Sequence, residues 1–125
     1  MQFRLKTSKK TEEIFNSIYQ RTYLQPFALA KISIAIALNH SFRVGKEIQL
    51  EDSDGIELNR QTITGDNDIL FKKLIELNEG RYLEDEVYFP DYVKMYIDFG
   101  AKLLEQELRY TRTPYKHLVN LDKGI

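Results

Sequence analysis

The stretch FRLKTSKKTEE, residues 3–13, contains the side chains best suited to chemistry with a phosphate. Its cations precede its first acid, Glu12, and they are Arg4, Lys6, Lys9 and Lys10. Ser8 is a typical helix N-cap, so Lys9 and Lys10 fall in a first helical turn, where positive charge is unfavourable. A phosphate would neutralise these lysines and accept hydrogen bonds from free backbone amides at the same helix end. The pattern therefore predicts a phosphate-binding site.

Residue combinations that could support catalysis are weak elsewhere in the chain. Cysteine is absent, which excludes disulfides, thiolate metal sites and a cysteine nucleophile or sulfur carrier. His40 and His117 are far apart and lack acids at a metal-ligand spacing. The acids of SDGIE and GDND do not follow the order of a calcium loop, so a turn and a helix cap explain them better. We expect no catalytic site, no metal and no cofactor.

The formal net charge of −1 conceals an uneven distribution. Residues 1–46 carry eight Lys or Arg and two Glu, a net charge of +6, whereas residues 47–125 carry a net charge of −7. This division favours a polyanion as the partner of the N-terminal third, and solvent or another protein as the partner of the rest. The alternative is a chance clustering of ordinary surface charges.

Length and hydropathy predict a single cytoplasmic domain. A chain of 125 residues is long enough for one core, and its composition is ordinary for a globular protein. The N-terminus is charged from Arg4 onward, and the run FALAKISIAIAL is interrupted by Lys31 and too short for a membrane helix. We expect one domain over residues 1–125, without contact to a membrane.

The elements that must position the cations are a short strand and several helices, so the expected fold is mainly α. QFRLK alternates polar and apolar residues, which predicts a strand. Helical spacing predicts helices over about residues 9–21, 26–38 and 91–110, with Pro26 opening the second. Between the last two, it predicts a helix that Asp66 or Asp68 caps and that stops at Gly80. The Asp54-Gly55 pair predicts a hairpin between EIQL and IELN. The apolar residues of the tail, TPYKHLVNLDKGI, predict that it is docked.

Two features of the first 40 residues share one explanation. A lone strand is unstable, and the second helix is apolar on every side, so it must be buried on every side. In a ribbon-helix-helix unit, strands from two subunits pair and the second helices pack at the dimer interface. We therefore expect a ribbon-helix-helix-like N-terminal unit with additional C-terminal helices, in which other subunits cover part of the second helix. The alternative is that later helices of the same chain cover it.

Three motifs resemble the DndE family, small proteins of the bacterial DNA phosphorothioate modification system, which replaces a non-bridging phosphate oxygen by sulfur. They are the Arg-x-x-Thr-Ser-Lys opening, the Arg-Thr-x-Leu-x-Pro link before an Ala- and Ile-rich helix, and the Gly-x-Glu-x-Asn-Arg-x-Thr-x-x-Gly run over residues 55–65. With the tail HLVNLDKGI, they span most of the chain. The link differs from the family pattern: Tyr23 replaces a glycine and Gln25 replaces a polar cap.

The resemblance implies a non-catalytic DNA-binding subunit. It implies a homotetramer that holds duplex DNA, preferably nicked, through surface lysines and acts with the sulfur-transfer and ATPase-like members of the system. Transferred residue by residue, the first candidates for phosphate contact are Lys6, Lys9 and Lys10, followed by Arg4 and Arg21, with Lys31, Arg43, Lys46 and Arg60 at the periphery. In the motif ELNRQT, Asn59 and Thr62 are expected to stabilise a turn, with DNA contact as the alternative.

Two other functions remain compatible with the sequence. A ribbon-helix-helix transcriptional regulator or antitoxin would read operator bases with Gln2, Arg4 and Lys6, but this function leaves the acidic C-terminal part unexplained. A structural adaptor would dock a partner through the acidic half, and its basic third would be incidental.

Overall fold

A short antiparallel ribbon joins the start of the chain to its middle. The computed structural model describes residues 3–45 and 47–109, in which β1 (Arg4–Lys6) pairs with β2 (Glu57–Asn59). Leu5 lies opposite Leu58, and both are buried, whereas Arg4 and Lys6 are exposed. β1 therefore has a partner strand in its own chain and is not the lone strand from which pairing with a second subunit was predicted.

The hairpin predicted around Asp54-Gly55 does not form. Residues 48–51 are not a strand, and β2 pairs with β1 instead of with its sequence neighbour. Gly55 permits the approach that carries the chain to β1: a Cβ atom there would lie 2.1 Å from the carbonyl oxygen of Ser8. The Gly55 amide donates to the Thr7 carbonyl at 2.9 Å, which extends the contact beyond the ribbon.

The first two helices begin where their caps predict. In α1 (Lys9–Thr22), the Ser8 side chain accepts a hydrogen bond from the Thr11 amide at 3.1 Å. In α2 (Pro26–Asn39), Pro26 occupies the first position. The connecting residue Tyr23 ends α1 in the left-handed conformation, with φ 61° and ψ 13°. These observations confirm the predicted order of strand, helix and helix.

Helix α2 is the centre of the core, and its own chain covers it. Leu29, Ile32, Ile34 and Ile36 are all buried, mainly against α5 (Val93–Arg109). At this crossing a Cβ atom on Gly100 would lie 1.8 Å from the carbonyl oxygen of Ser33, so only glycine allows the two backbones to approach so closely. The same chain therefore buries most of α2, as the alternative predicts, and a contribution from other subunits to its remaining exposed positions stays a prediction.

The remaining helices complete a mainly helical fold. β2 leads directly into α3 (Arg60–Ile63), and a 3-10 turn (Gly65–Asn67) precedes α4 (Asp68–Glu79), which ends at left-handed Gly80 as predicted. α5 starts two residues later than predicted, after a kinked π-helical turn (Val87–Tyr92) containing extended Phe89 and a cis Phe89–Pro90 peptide. Within the described residues, no helix is both long and apolar enough to cross a membrane. The tail predicted to dock lies outside them.

Candidate nucleic-acid interface

The candidate interface is the junction where β1 enters α1. Lys6 projects outward from β1 because it alternates with buried Leu5. Lys9 and Lys10 occupy the first turn of α1, and their side chains are 58% and 54% exposed. The structure thus places three predicted phosphate ligands within five consecutive residues, and the ribbon and the cap fix the backbone that carries them.

A buried ion pair lies directly beneath this junction. Lys94 and Asp98 are separated by one helical turn of α5, and Lys94 Nζ lies 3.0 Å from Asp98 Oδ2. Both side chains are almost fully inaccessible to water. The Asp98 carboxylate accepts hydrogen bonds from the Ser8 amide at 3.1 Å and from the Thr11 hydroxyl at 2.6 Å. The Lys94 ammonium donates to the carbonyl of Lys6 at 2.8 Å. The pair therefore anchors the basic segment to α5 through backbone atoms on both sides of Thr7.

A second carboxylate occupies the N-terminus of α1. Asp52 accepts a hydrogen bond from the Lys9 amide at 2.8 Å, and its own carbonyl accepts one from Lys94 at 2.8 Å. Hydrogen bonds from the backbone amides of Lys9 and Asp54 lower the pKa of the Asp52 carboxyl. The helix amides expected to be free for a phosphate are therefore wrongly assigned, since the chain's own oxygens already bind those of Ser8, Lys9 and Thr11.

Asp52 and Asp98 also explain why α1 tolerates lysines in its first turn. An anion near a helix N-terminus is stabilising, and here it comes from distant parts of the chain. The hydrogen bond and charge of Glu12 raise the pKa of Lys9, so this lysine stays protonated at neutral pH. The lysine side chains are exposed, whereas the amides of Lys9 and Thr11 are already hydrogen-bonded within the chain.

Exposed carboxylates pair with several of these cations. Lys9 Nζ lies 2.6 Å from Glu12 Oε1, whereas Lys10 Nζ lies 3.9 Å from Glu105 Oε2 and Arg4 Nη1 lies 3.9 Å from Glu57 Oε2. Exposed pairs of this kind contribute about 0–1 kcal/mol. A DNA phosphate could therefore replace each carboxylate at little cost, because both partners remain accessible to water.

The other predicted cations are dispersed. Arg21 lies in the last turn of α1, and Lys31 lies on α2 with its ammonium 5.8 Å from the centre of the Phe27 ring. Arg43 is exposed and lines an open cavity of 520 Å³ beside Phe99 and Lys102. Lys46 lies outside the described residues. The structure therefore brings Lys6, Lys9 and Lys10 together by chain proximity, and leaves the peripheral candidates on other elements.

Arg60, predicted as a peripheral DNA ligand, is engaged by two carboxylates of its own chain. Its guanidinium donates to Asp68 and to Asp85, each at a shortest distance of 2.7 Å, and only 12% of its side chain is exposed. The ring centres of Tyr88 and Phe89 lie 5.4 and 5.1 Å from Arg60 Cζ. Hydrogen bonds from Asp85 and Asp68 raise the pKa of Arg60. The Arg60 guanidinium is thus bound on both edges by carboxylates of its own chain.

The turn expected for ELNRQT is confirmed. The Asn59 side chain caps α3 by accepting a hydrogen bond from the Gln61 amide at 2.8 Å. The Thr62 hydroxyl donates to the Asn59 carbonyl at 2.9 Å. Both polar side chains are therefore bound to the backbone of the same turn.

Sequence reasoning did not identify Asp52, Lys94 and Asp98 as parts of this junction. The spacing of Lys94 and Asp98 on α5 is typical of an ion pair on a helix surface, but it does not indicate burial. Their position in YVKMYIDFGA, a stretch with few other polar residues, is the available indication that both side chains point into the core. Nothing in EDSDG distinguishes Asp52 from its neighbouring acids.

The comparison with protein families covers the residues of this junction. The model of the family described as DNA sulphur modification protein DndE matches residues 4–112. The chain belongs to the DndE family. A search of curated proteins found no match. The DndE match includes both the basic segment and the α5 pair that anchors it.

The DndE motif over residues 55–65 maps to structural positions. Gly55 packs against Ser8, Asn59 caps α3, and Arg60 binds two aspartates. Gly65 adopts a positive φ of 48° at the start of the 3-10 turn. These residues therefore have structural positions in the part of the fold that holds the basic segment in place.

Proposed function

We propose that this chain is a non-catalytic DNA-binding subunit of a DNA phosphorothioate modification system. Membership of the DndE family implies involvement in DNA sulfur modification. The observation that carries the finer proposal is the basic segment itself: Lys6, Lys9 and Lys10 are exposed, while buried Lys94 and Asp98 fix their backbone. Lysines held in this way can contact successive phosphates without reading base edges.

The proposed ligand is duplex DNA, bound through its sugar–phosphate backbone and preferentially at a nick. The chain contains no cysteine thiol to carry sulfur, which supports a role in holding DNA while other subunits perform the chemistry. Because the chemistry changes the DNA backbone, a subunit that contacts phosphates is suited to present the strand. We place this function in the cytoplasm, with the other members of the modification complex as partners.

We also propose the homotetramer implied by the family resemblance. The apolar side chains that α4 exposes support self-association: Ile69 is 76% and Leu77 is 78% exposed, and Leu70 lies beside them. Residues eight positions apart lie on the same face of a helix, so Ile69 and Leu77 share one face of α4, with the exposed Lys73 between them. A second copy of the chain is the partner that we assign to this surface.

The test is DNA binding by fluorescence anisotropy on intact and singly nicked duplexes of unrelated sequence, across a salt series. The variant Lys9→Glu/Lys10→Glu removes two cations of the basic segment. We expect it to abolish DNA binding at moderate salt. Where weak binding persists at low salt, the log–log salt slope should fall by about two units, one for each lost phosphate contact.

The matched control is Lys116→Glu/Lys123→Glu, which changes the net charge equally at positions outside the basic segment and outside α4. Its DNA affinity should stay close to that of the wild type, because these lysines are remote in sequence from the basic segment. An equal loss of DNA affinity in both variants would mean that net charge alone explains the effect. Unchanged DNA affinity of Lys9→Glu/Lys10→Glu would refute the phosphate site. Binding to a single intact operator would instead support the ribbon-helix-helix regulator, and no DNA binding would support the adaptor.

A further inference from the structure

The link between α1 and α2 contains an exposed aromatic ring on a strained residue. Tyr23 has φ 61° and ψ 13°, a left-handed conformation that costs a bulky residue about 1–2 kcal/mol relative to glycine. Burial does not repay this cost, because the Tyr23 side chain is 76% exposed. The fold itself requires only a residue that tolerates this backbone, so it does not explain the presence of an aromatic ring.

Two further aromatic rings flank the link. The ring of Tyr19 lies edge-on to that of Tyr23, with 5.9 Å between their centres and 84° between their planes. Phe27, in the first turn of α2, is 42% exposed. This perpendicular contact supports the Tyr23 ring from one side, and Tyr23 stays 76% exposed.

Cations accompany these aromatic rings, and acids are missing from the surrounding sequence. Arg21 precedes Tyr23 by two residues, and Lys31 lies over the Phe27 ring at 5.8 Å. Residues 14–46 contain four Lys or Arg and no Asp or Glu. Within residues 3–45 and 47–109, no carboxylate forms an ion pair with Arg21 or Lys31. The link is therefore a positively charged surface with exposed π-faces.

We propose that this link is a stacking site for an unpaired DNA base. Proteins bind single-stranded nucleic acid through aromatic rings, on which bases stack, and through neighbouring cations, which contact the backbone. Tyr23 supplies the ring, and Arg21 and Lys31 supply the charge. The inference rests on the proposed function, and it adds a ligand that the basic segment does not address: a base outside the double helix, as at a gap or a frayed strand end.

Charge favours DNA over a protein as the occupant. An unpaired base is attached to a phosphate on each side, so binding it brings anions to Arg21 and Lys31. A purely apolar protein surface would leave both cations without partners as it covered Tyr23 and Phe27, and that desolvation is unfavourable. The stretch of 33 residues without an acid thus matches the charge of a DNA strand.

The test compares Tyr23→Gly with Tyr23→Phe. Glycine adopts a positive φ without strain, so Tyr23→Gly should be at least as stable as the wild type while lacking the ring. Tyr23→Phe keeps the ring and serves as the control. The probes are an intact duplex and a duplex of the same length with a short single-stranded gap containing 2-aminopurine, whose fluorescence falls when it stacks on an aromatic side chain.

We expect the wild type and Tyr23→Phe to quench the 2-aminopurine on binding, and Tyr23→Gly not to quench it. Affinity of Tyr23→Gly for the gapped duplex should fall about 5-fold or more, the change that corresponds to ~1 kcal/mol for one stacked base. Its affinity for the intact duplex should be unchanged. Tyr23→Asn, which also tolerates this backbone and lacks the ring, should reproduce the result.

Each other outcome overturns the inference. Equal affinity and quenching in the wild type and Tyr23→Gly would show that the ring does not stack, while intact-duplex binding would keep the proposed function. An equal loss on both duplexes would indicate a change in link geometry. A wild type that binds neither duplex at low salt would overturn the proposed function as well.

Discussion

Arg60 and Lys9 are both hydrogen-bonded to carboxylates, but exposure separates their roles. The Lys9 side chain is 58% exposed, and its partner can be exchanged for a phosphate, whereas the Arg60 side chain is 12% exposed and forked between two aspartates. A guanidinium engaged on both edges has no donor geometry left for a further planar anion. At the scale of single residues, burial therefore decides which cation is structural.

Replacing Arg60 tests its structural role. Arg60→Met should destabilise the fold by about 2–3 kcal/mol, because Asp68 and Asp85 lose charged hydrogen bonds while remaining partly buried. Urea unfolding measures the change. DNA affinity of the folded protein should be retained, and a selective loss of affinity without loss of stability would restore Arg60 as a DNA ligand.

The ion pairs of Arg60 with Asp68 and Asp85 make the stability of the fold depend on pH. Hydrogen bonds and charge from Arg60 lower the pKa of Asp85, and for Asp68 they outweigh the burial that opposes ionisation, so that its pKa is lowered too. The stabilisation is fully present above the unfolded-state pKa of about 4, and is lost as the pH falls through the lower folded-state values. Acid unfolding should therefore be steeper in the wild type than in Arg60→Met.

The sequence alone predicts some of these residues better than others. Asn59 is recognisable as a cap because its partner, the Gln61 amide, is two residues away. Arg60 is not recognisable as buried, because Asp85 lies 25 positions along the chain. The exposed Lys6, Lys9 and Lys10 follow from alternation and cap position, whereas Asp52 reaches the same helix end only through the fold.

At the scale of elements, the α2–α5 crossing depends on Gly100. Gly100→Ala would place a methyl group 1.8 Å from the Ser33 carbonyl oxygen, a distance that only backbone displacement can relieve. We expect the variant to lose more than about 3 kcal/mol of stability or to fail to fold, since overpacking against a backbone exceeds the usual cost of a buried methyl group. Thermal and urea unfolding measure the loss.

Gly80→Ala is the control for this prediction. Gly80 has φ 77° and nothing within 4 Å of the position of a Cβ atom, so only backbone strain acts there. The expected cost is about 1–2 kcal/mol. Similar losses at both glycines would mean that α2 and α5 can separate without penalty, in contradiction to the close crossing.

The sequence predicts where the helices begin and end, because the residues that set these boundaries are local. It does not predict which strand or helix packs against which. Ser8, Pro26 and Gly80 act within a few residues of the ends that they set. The partner of Leu5 is Leu58, and no local pattern distinguishes it from a strand of another subunit. The apolar composition of α2 likewise requires burial but does not specify whether the same chain or a second copy provides it.

At the scale of the whole molecule, the proposed surface for self-association and the proposed surface for DNA lie on different elements. The basic segment lies at the β1–α1 junction, and the apolar residues Ile69 and Leu77 lie on α4. A homotetramer built through α4 would multiply the number of basic segments on one particle. Several weak phosphate contacts would then act together on one duplex.

The mass of the particle in solution tests this assembly. We expect sedimentation equilibrium to give a tetramer for the wild type and smaller species for Leu77→Glu, because a charge in an apolar interface is unpaired and desolvated. Gln106→Glu introduces the same charge at an exposed position of α5 and should leave the mass of the particle unchanged. A monomeric wild type would contradict the tetramer, and a tetrameric Leu77→Glu would contradict the use of α4.

The buried pair of Lys94 and Asp98 also limits how this protein can change over evolutionary time. Each residue satisfies the charge of the other and holds backbone atoms of the basic segment. Exchange of either one alone leaves a buried charge without its partner, which is costlier than replacement of both by apolar residues. Any evolutionary path to a different pair therefore passes through a less stable intermediate, so the two residues that anchor the basic segment are constrained together.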